Sequence, residues 1–272
     1  MDATSRRNFP AGSEKIFGGP SMDDIVIRPL TARTDLVAVE ALQQEVWGMP
    51  DRDIVPTHHL LASVSAGGLV LGAFDRNNTL VGFCYGFVGV REGRMLFYSH
   101  MAGVVRTWQG RGVGFRLKRA QREAALARGL DRMVWTYDPL QAPNARLNLH
   151  KLGARASRYY VDYYGEMPDA LNRGVPSDRL EVDWWLRSAR VESLMAGARP
   201  PAMGLARDED DARRIEIPAD FDAIRRTDAE EAQRLRLRTR EAFQRAFAAG
   251  YEAVDFVQGA YVLRKKSAGV AP

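Results

Sequence analysis

Apolar residues first recur in a short block, Ile25-Val26-Ile27, which Arg28-Pro29 closes, and this predicts a strand ended by proline. Leu36, Val39, Ala41, Leu42 and Val46 follow at helical spacing, with Thr34 or Asp35 placed to cap the helix and Gly48-Met49-Pro50 to stop it. A loop carrying His58 and His59 leads to strands over 69–74 and 80–90, with turn residues at 75–78 between them. Glu92-Gly93-Arg94 turns the chain into a strand over 95–105. A glycine-rich stretch then opens a helix over 115–128, with Phe115, Leu117, Ala120, Ala124 and Ala127 on its buried side and Gly129 at its end. Beyond it come a strand over 133–137, a break at Asp138-Pro139, a short helix over 145–152 stopped by Gly153, and strands near 155–160 and 180–186. The order β-α-β-β-β-α-β-α-β-β describes a mixed α/β sheet, mostly antiparallel.

The pattern changes after Ser188. Residues 191–211 mix Gly, Pro and Ala with the acidic run 208–211, as a linker would. A strand over 214–217, a helix start at Ala219-Asp220, a long helix over 228–249 and a hairpin (251–256 with 260–263) follow. Ala232, Leu235, Thr239, Ala242, Phe243, Ala246 and Phe247 line one face of the long helix. The expected organisation is a leader over 1–22, a main domain over 23–190, a linker over 191–212 and a small C-terminal α/β unit over 213–272. A unit of roughly 55 residues buries too little core to stand alone. It is expected to pack on the main domain or on a partner subunit, with its hairpin available to pair across a homodimer.

Composition narrows the class. Hydrophobic residues make up 46% and charged ones 27% of 272, ordinary globular usage that argues against a disordered chain. The single cysteine, Cys84, excludes an internal disulfide framework and any cysteine-cluster zinc site. No apolar run approaches the roughly 20 residues that cross a bilayer. The N-terminus lacks the apolar core of a signal peptide, so a soluble, cytoplasmic protein with no membrane partner is expected. A net charge of +5 is mild. Arg234, Arg236, Arg238, Arg240 and Arg245 scatter around a helix among Glu230, Glu231 and Glu241, which reads as a solvated face and not a nucleic-acid stripe.

The densest chemistry lies in Gln109-Gly110-Arg111-Gly112-Val113-Gly114, between a strand and a helix. Its glycines let backbone approach a ligand, the helix start offers unpaired N–H groups suited to a phosphate or pyrophosphate, and Arg111 adds a cation. A plain tight turn is the alternative. No Gly-Lys-Ser/Thr is present, and no acidic residue ends a second parallel strand, so neither a P-loop nor a dinucleotide fold is indicated.

Gln109-x-x-Gly112-x-Gly114 resembles the Gln/Arg-x-x-Gly-x-Gly/Ala motif of the GNAT acyl-CoA N-acyltransferases. Ala102-Gly103-Val104 is similar to the strand end preceding that motif, and His150-Lys151-Leu152-Gly153-Ala154 to the region closing the acyl-CoA half. Residues 135–140, Tyr163-Tyr164-Gly165 and Ser177-Asp178-Arg179 are similar to an uncharacterised predicted-acetyltransferase branch. The resemblance spans roughly 24–187 and implies a twisted sheet with a V-shaped opening between two strands. It implies acetyl-CoA as co-substrate, no metal, and direct attack by an amine. Val104, Val105, Gln109, Gly110, Arg111, Gly112, Val113, Gly114, Phe115 and Asn144 would hold the coenzyme, with the Val104 N–H on the thioester carbonyl.

The sequence departs from that pattern where the family commonly places a general acid tyrosine, because Leu149 stands there. Water, Tyr137 or a later tyrosine is then left for that step. His100 is the first candidate base, in line with 102 and 104 if the strand is regular, a register that a bulge here would shift; a packed structural histidine is its alternative. Asp138 is the second, with capping of the turn before Pro139 as its alternative. Arg179 and Tyr164 are the candidate acceptor contacts, Arg179 as a clamp for an anionic group or one half of an exposed ion pair with Asp178. The tyrosines at 159, 160, 163 and 164 line an acceptor pocket or simply pack. The expected function is transfer of an acetyl group to a small-molecule primary amine. A non-catalytic acyl-CoA sensor and a peptide or protein N-acetyltransferase are the alternatives.

Overall fold

The computed structural model describes residues 25–165, 174–199 and 212–266. The expected leader and most of the expected linker lie outside them. The fold is mixed α/β, with helices flanking a mostly antiparallel sheet. Strand β1 (Val26–Pro29) leads to α1 (Arg33–Trp47), α2 (Thr57–Ser65), β2 (Leu69–Phe74), β3 (Leu80–Arg91) and β4 (Arg94–Val104). After α3 (Val113–Ala127) come β5 (Arg132–Tyr137), α4 (Ala142–Ala145), β6 (Arg155–Tyr160), β7 (Arg179–Trp185) and α5 (Ala189–Met195). The C-terminal segment adds β8 (Ala212–Glu216), α6 (Phe221–Thr227), α7 (Ala229–Ala248), β9 (Tyr251–Val257) and β10 (Ala260–Lys265).

Several expectations need correction. The loop at His58-His59 is α2, which Pro56 precedes; only Thr57 and Leu60 are buried, too few to print a helical period on the sequence. Neither Thr34 nor Asp35 caps α1: Ala32 holds that position, and the Asp35 carboxylate takes two hydrogen bonds from Arg28, at 2.7 and 3.0 Å. Helix α3 starts two residues early and buries Val113, Leu117, Lys118, Gln121 and Ala125. Phe115, Ala120 and Ala124 are only half-buried and Ala127 is exposed, because two polar side chains lie inside. The short helix begins at Ala142 and relaxes into a π-helical turn, Arg146–Lys151. Residues 191–195, expected in the linker, end α5.

Among the described residues, ten strands form one sheet in the order β1-β2-β3-β4-β5-β7-β6-β9-β10-β8. The C-terminal hairpin therefore extends the main sheet: β9 joins β6 at Ala156 and Ala253, and β8 covers the other edge of β10. The edge expected to serve a homodimer is taken within the chain. Trp184 is fully buried, edge-on to Trp135, whereas Trp185 is half-buried with the Arg132 guanidinium 5.1 Å from its ring centre.

Two irregularities in the middle of the sheet shape everything near them. Strands β4 and β5 run parallel and pair only at Phe97 with Met133 and Tyr98 with Val134, then part into a fork. On its other edge β4 carries a bulge: Tyr85 faces Met101 but Gly86 faces Ser99, leaving His100 as the extra residue. The bulge reverses side-chain parity. Ser99 reaches Gln121 of α3, while the His100 ring lies against Tyr85 and Phe87 on the opposite face.

Candidate active site

The backbone of the fork is read from its register. Val105 N–H donates to Val81 O at 3.0 Å, so Gly82 and Val104 face each other as a pair without mutual hydrogen bonds. The Val104 N–H and C=O consequently point away from β3, into the opening toward β5. Gln109 closes one side of the mouth by donating from Nε2 to the Val104 carbonyl at 2.9 Å.

Beyond Gln109 the chain makes two positive-φ steps, Gly110 at 74° and Gly112 at 82°, which bend it sharply into α3. Gly112 is the N-cap of α3 and supplies no side-chain oxygen, so the first-turn N–H groups have no side-chain cap. No atom lies within 4 Å of where a Cβ on Gly110 would stand, leaving its backbone open to approach. Gly114 faces Leu147 of the π-helical turn, 3.6 Å from a built Cβ. Arg111 lies exposed with its guanidinium 5.4 Å from the Trp108 ring centre. Bare amides, a helix dipole and one cation thus converge at the mouth, a setting that suits a pyrophosphate. Val113 is buried, Phe115 is half-buried and Asn144 is exposed on α4.

On the opposite face from α3, rings surround His100. Tyr85, Phe87 and Tyr98 have centroids 5.8, 6.1 and 6.4 Å from it, and His59 shares a 3.2 Å hydrogen bond with the Tyr85 hydroxyl. His100 itself is solvent-exposed, yet the surrounding protein shields it; desolvation first and His59 second hold its pKa below the ordinary 6.5. It is a neutral base at pH 7, open to a ligand. The bulge removes the expected alignment of His100 with Val104, because Val104 lies on the Gly82 side, toward Leu117 of α3. Tyr164 closes toward the fork with Oη 3.3 Å from Thr136 Oγ1, and Tyr160, Tyr163 and Tyr164 follow one another at 4.8 and 4.7 Å. Burial raises the Tyr98 pKa, with Tyr164 and Tyr163 adding to it.

Other candidates are drawn into the scaffold. Asp138 accepts two bonds from Arg236, at 2.7 and 2.6 Å, and one from Leu140 N–H at 2.8 Å, so its lone pairs are engaged and it is unsuited to act as a base. Tyr137 is buried with its hydroxyl on Tyr261 at 3.2 Å, and burial raises its pKa, which makes it a poor source for a departing group's proton. Asp178 is fully buried and forms no exposed pair with Arg179: its carboxylate takes Arg240, at 2.9 Å twice, and the Tyr159 hydroxyl at 2.7 Å. Arg179 is also buried, donating to the Asp178 carbonyl at 2.9 Å, with its guanidinium 5.1 Å from the Tyr164 ring centre. Arg236 and Arg240 thus leave the solvated face that the sequence suggested. His150 pairs with buried Asp255 at 2.9 Å, and Leu149 is buried. Among the described residues no cluster of three or more His, Cys, Asp or Glu can hold a metal, and no helix is long and apolar enough to cross a membrane.

Sequence reasoning missed Lys118. It lies 4% exposed beneath the fork, and the only legible signal was a lysine one position from Leu117 on the buried stripe of α3.

No family model and no curated protein sequence matches this chain. Solved structures do. One, the NatC complex bound to Gag peptide and CoA, has 16% identity and a TM-score of 0.50, over 60% of this chain and 99% of that one. Another is yncA, a putative acetyltransferase from Salmonella typhimurium with acetyl-CoA, at 21% identity and a TM-score of 0.48, over 60% and 95%. The ribosomal-protein-S18-alanine N-acetyltransferase from Escherichia coli gives 16% and 0.46, over 58% and 92%. With the forked β4–β5 pair, the β4 bulge and the glycine loop before α3 in place, this chain has the GNAT acyl-CoA N-acyltransferase fold.

Proposed function

We propose that the protein is an acyl-CoA-dependent N-acyltransferase that moves an acetyl group from acetyl-CoA to the primary amine of a small molecule. One observation carries this: the Val104 N–H points into the β4–β5 fork, and the fork's mouth is lined by the uncapped start of α3. The amides of Gly110, Gly112, Val113, Gly114 and Phe115, with Arg111 and Gln109, suit the coenzyme's pyrophosphate, and Val104, Val105 and Asn144 suit the arm beyond it. Bound there, acetyl-CoA supplies an activated acyl group with a good leaving thiol. The Val104 N–H stabilises negative charge on the acyl oxygen in the transition state. His100, neutral and exposed in its ring-walled recess, takes the proton from the attacking amine directly or through one water.

The acceptor enters from the His100 face. Tyr164, with Arg179 behind its ring, stands over Thr136 beside the fork, and the pair offers a ring and a guanidinium to a small polar acceptor. No acid from this chain is assigned to the departing sulfur, since Leu149 has no proton to give and Tyr137 is committed to Tyr261. The same two residues support the second reading, a sensor that binds acyl-CoA without turnover. Release of thiol from acetyl-CoA across a panel of small amines and N-terminal peptides separates them. Turnover with small amines supports the enzyme, peptide-only turnover changes the acceptor class, and tight binding without turnover favours the sensor.

A further inference from the structure

Lys118 is a buried amine that the proposed chemistry leaves unused, and the side chains it touches, Ser99, Gln121 and Trp135, include no carboxylate. Its place is defined by the fork: the last shared rungs of β4 and β5 are Phe97 with Met133 and Tyr98 with Val134, so Ser99 and Trp135 are the first residues past the parting. The Lys118 Nζ touches both. It donates to Ser99 Oγ at 2.7 Å and stands 3.7 Å from the centre of the Trp135 ring. Ser99 in turn donates to Gln121 Oε1 at 2.8 Å, so the β4 arm is tied to α3 at two points one helical turn apart. On the other arm Trp135 is backed edge-on by Trp184, at 5.9 Å, and cannot retreat from the ammonium without disturbing the core.

We propose that Lys118 is a positioning residue for acyl transfer, bridging the two strands where they part and so setting the width of the opening that receives the coenzyme's arm. This rests on the acyl-CoA function proposed above. A lysine suits the task because its one nitrogen can both hydrogen-bond a hydroxyl and face an aromatic ring, and both interactions strengthen away from water. Methionine, nearly as long, can lay its sulfur against the ring but brings no charge and no donor for the Ser99 hydroxyl.

The bridge has an electrical signature. Burial lowers the Lys118 pKa to about 7, and it raises the Cys84 thiol of β3 to about 12, so that thiol is neutral near pH 7 and gives the ammonium no countercharge. The other groups packed around the ammonium, Ser99 from β4, Trp135 from β5 and Gln121 from α3, carry no charge. The amine therefore changes charge against the Trp135 ring near neutrality.

The test uses full-length protein labelled with 15N-tryptophan, the Trp135 indole signal being identified by its loss in Trp135→Phe. In the unsubstituted protein that signal moves with a midpoint near pH 7; in Lys118→Met it does not. Lys118→Met also raises the KM for acetyl-CoA about tenfold, the size of one desolvated cation–π contact, with kcat within about twofold and no lower urea midpoint. Should Lys118→Met fail to fold, Ser99→Ala removes the β4 end of the bridge and shifts KM the same way. A folded Lys118→Met, or a folded Ser99→Ala, with unchanged KM for acetyl-CoA overturns the proposal; a Trp135 signal that moves equally in Lys118→Met shows that Lys118 is not the group against the ring and overturns it too. Absence of acetyl-CoA binding in the unsubstituted protein overturns the underlying function as well, and is told apart because it shows before any substitution.

Discussion

Strands β4 and β5 leave the same two rungs, yet the chain secures them in different ways. The β4 arm is held from nearby: Lys118 reaches Ser99 across 19 residues, and Gln109 reaches the Val104 carbonyl across five. The β5 arm is held from the far end of the chain, where Arg236 grips Asp138 across 98 residues and Tyr261 donates to the Pro139 carbonyl at 2.6 Å across 122. Phe243 of α7 stacks on Tyr159 of β6, and Arg240 of the same helix pairs with Asp178 just before β7. The C-terminal segment is thereby part of the scaffold of the opening. One arm can order as its own hairpin and helix form; the other waits for distant chain to arrive, a costlier closure in entropy.

The largest effect is expected where the distant bracing is cut. Arg236→Leu leaves Asp138 buried without its partner and lowers stability by about 3–5 kcal/mol in urea unfolding, with Asp138→Leu in the same chain restoring much of it. If Arg236→Leu alone is neutral, the β5 arm does not depend on α7. At the mouth on the β4 side, Gly112→Val forces a branched side chain into φ 82° and tilts the first-turn amides. Acetyl-CoA affinity by calorimetry then falls at least about a hundredfold, with most of the stability retained.

His100→Gln sharpens the distinction between holding the fork and using it. It lowers kcat roughly a hundredfold and leaves acetyl-CoA binding within about threefold. If His100 is the base, acetyl transfer by the unsubstituted protein is expected to fall as pH drops through a value below 6.5, because desolvation keeps His100 neutral until then and only the neutral ring accepts a proton. The substituted enzyme lacks that acidic limb. The smallest effect belongs to Arg234, two residues from Arg236 but exposed beside Glu230 and Glu231. Arg234→Ala leaves the urea midpoint unchanged, because exposed ion pairs gain little against water.

The contrast between Arg234 and Arg236 also shows where the sequence stopped informing. Both are arginines in one helix rich in glutamate, and nothing local marks Arg236 for burial; that depends on Asp138 arriving 98 residues away in sequence. The glycine loop was legible because its constraints are local, positive φ and a helix start. For His100 the sequence left two facings open, one for a regular strand and one for a bulged strand, and the bulge between Tyr85 and Gly86 decided for the one that separates it from Val104. Lys118 escaped because helical periodicity counts apolar residues, and a lysine satisfied by a hydroxyl and a ring leaves no mark in that count.

By itself the sequence determined most of the strands and the helices α1, α3 and α7, their punctuation by Gly110, Gly112 and Gly153, and the backbone chemistry of the loop before α3, because these follow from steric rules acting over a few residues; α2 and α5 it did not show. Tertiary structure alone decided that the C-terminal hairpin would extend the sheet and that Asp138 and Asp178 would be locked by arginines. It also decided which side chains would meet at the parting of β4 and β5. These depend on pairings between segments from about twenty to about a hundred residues apart, where burial strengthens an ion pair or a cation–ring contact only after the surrounding chain has excluded water.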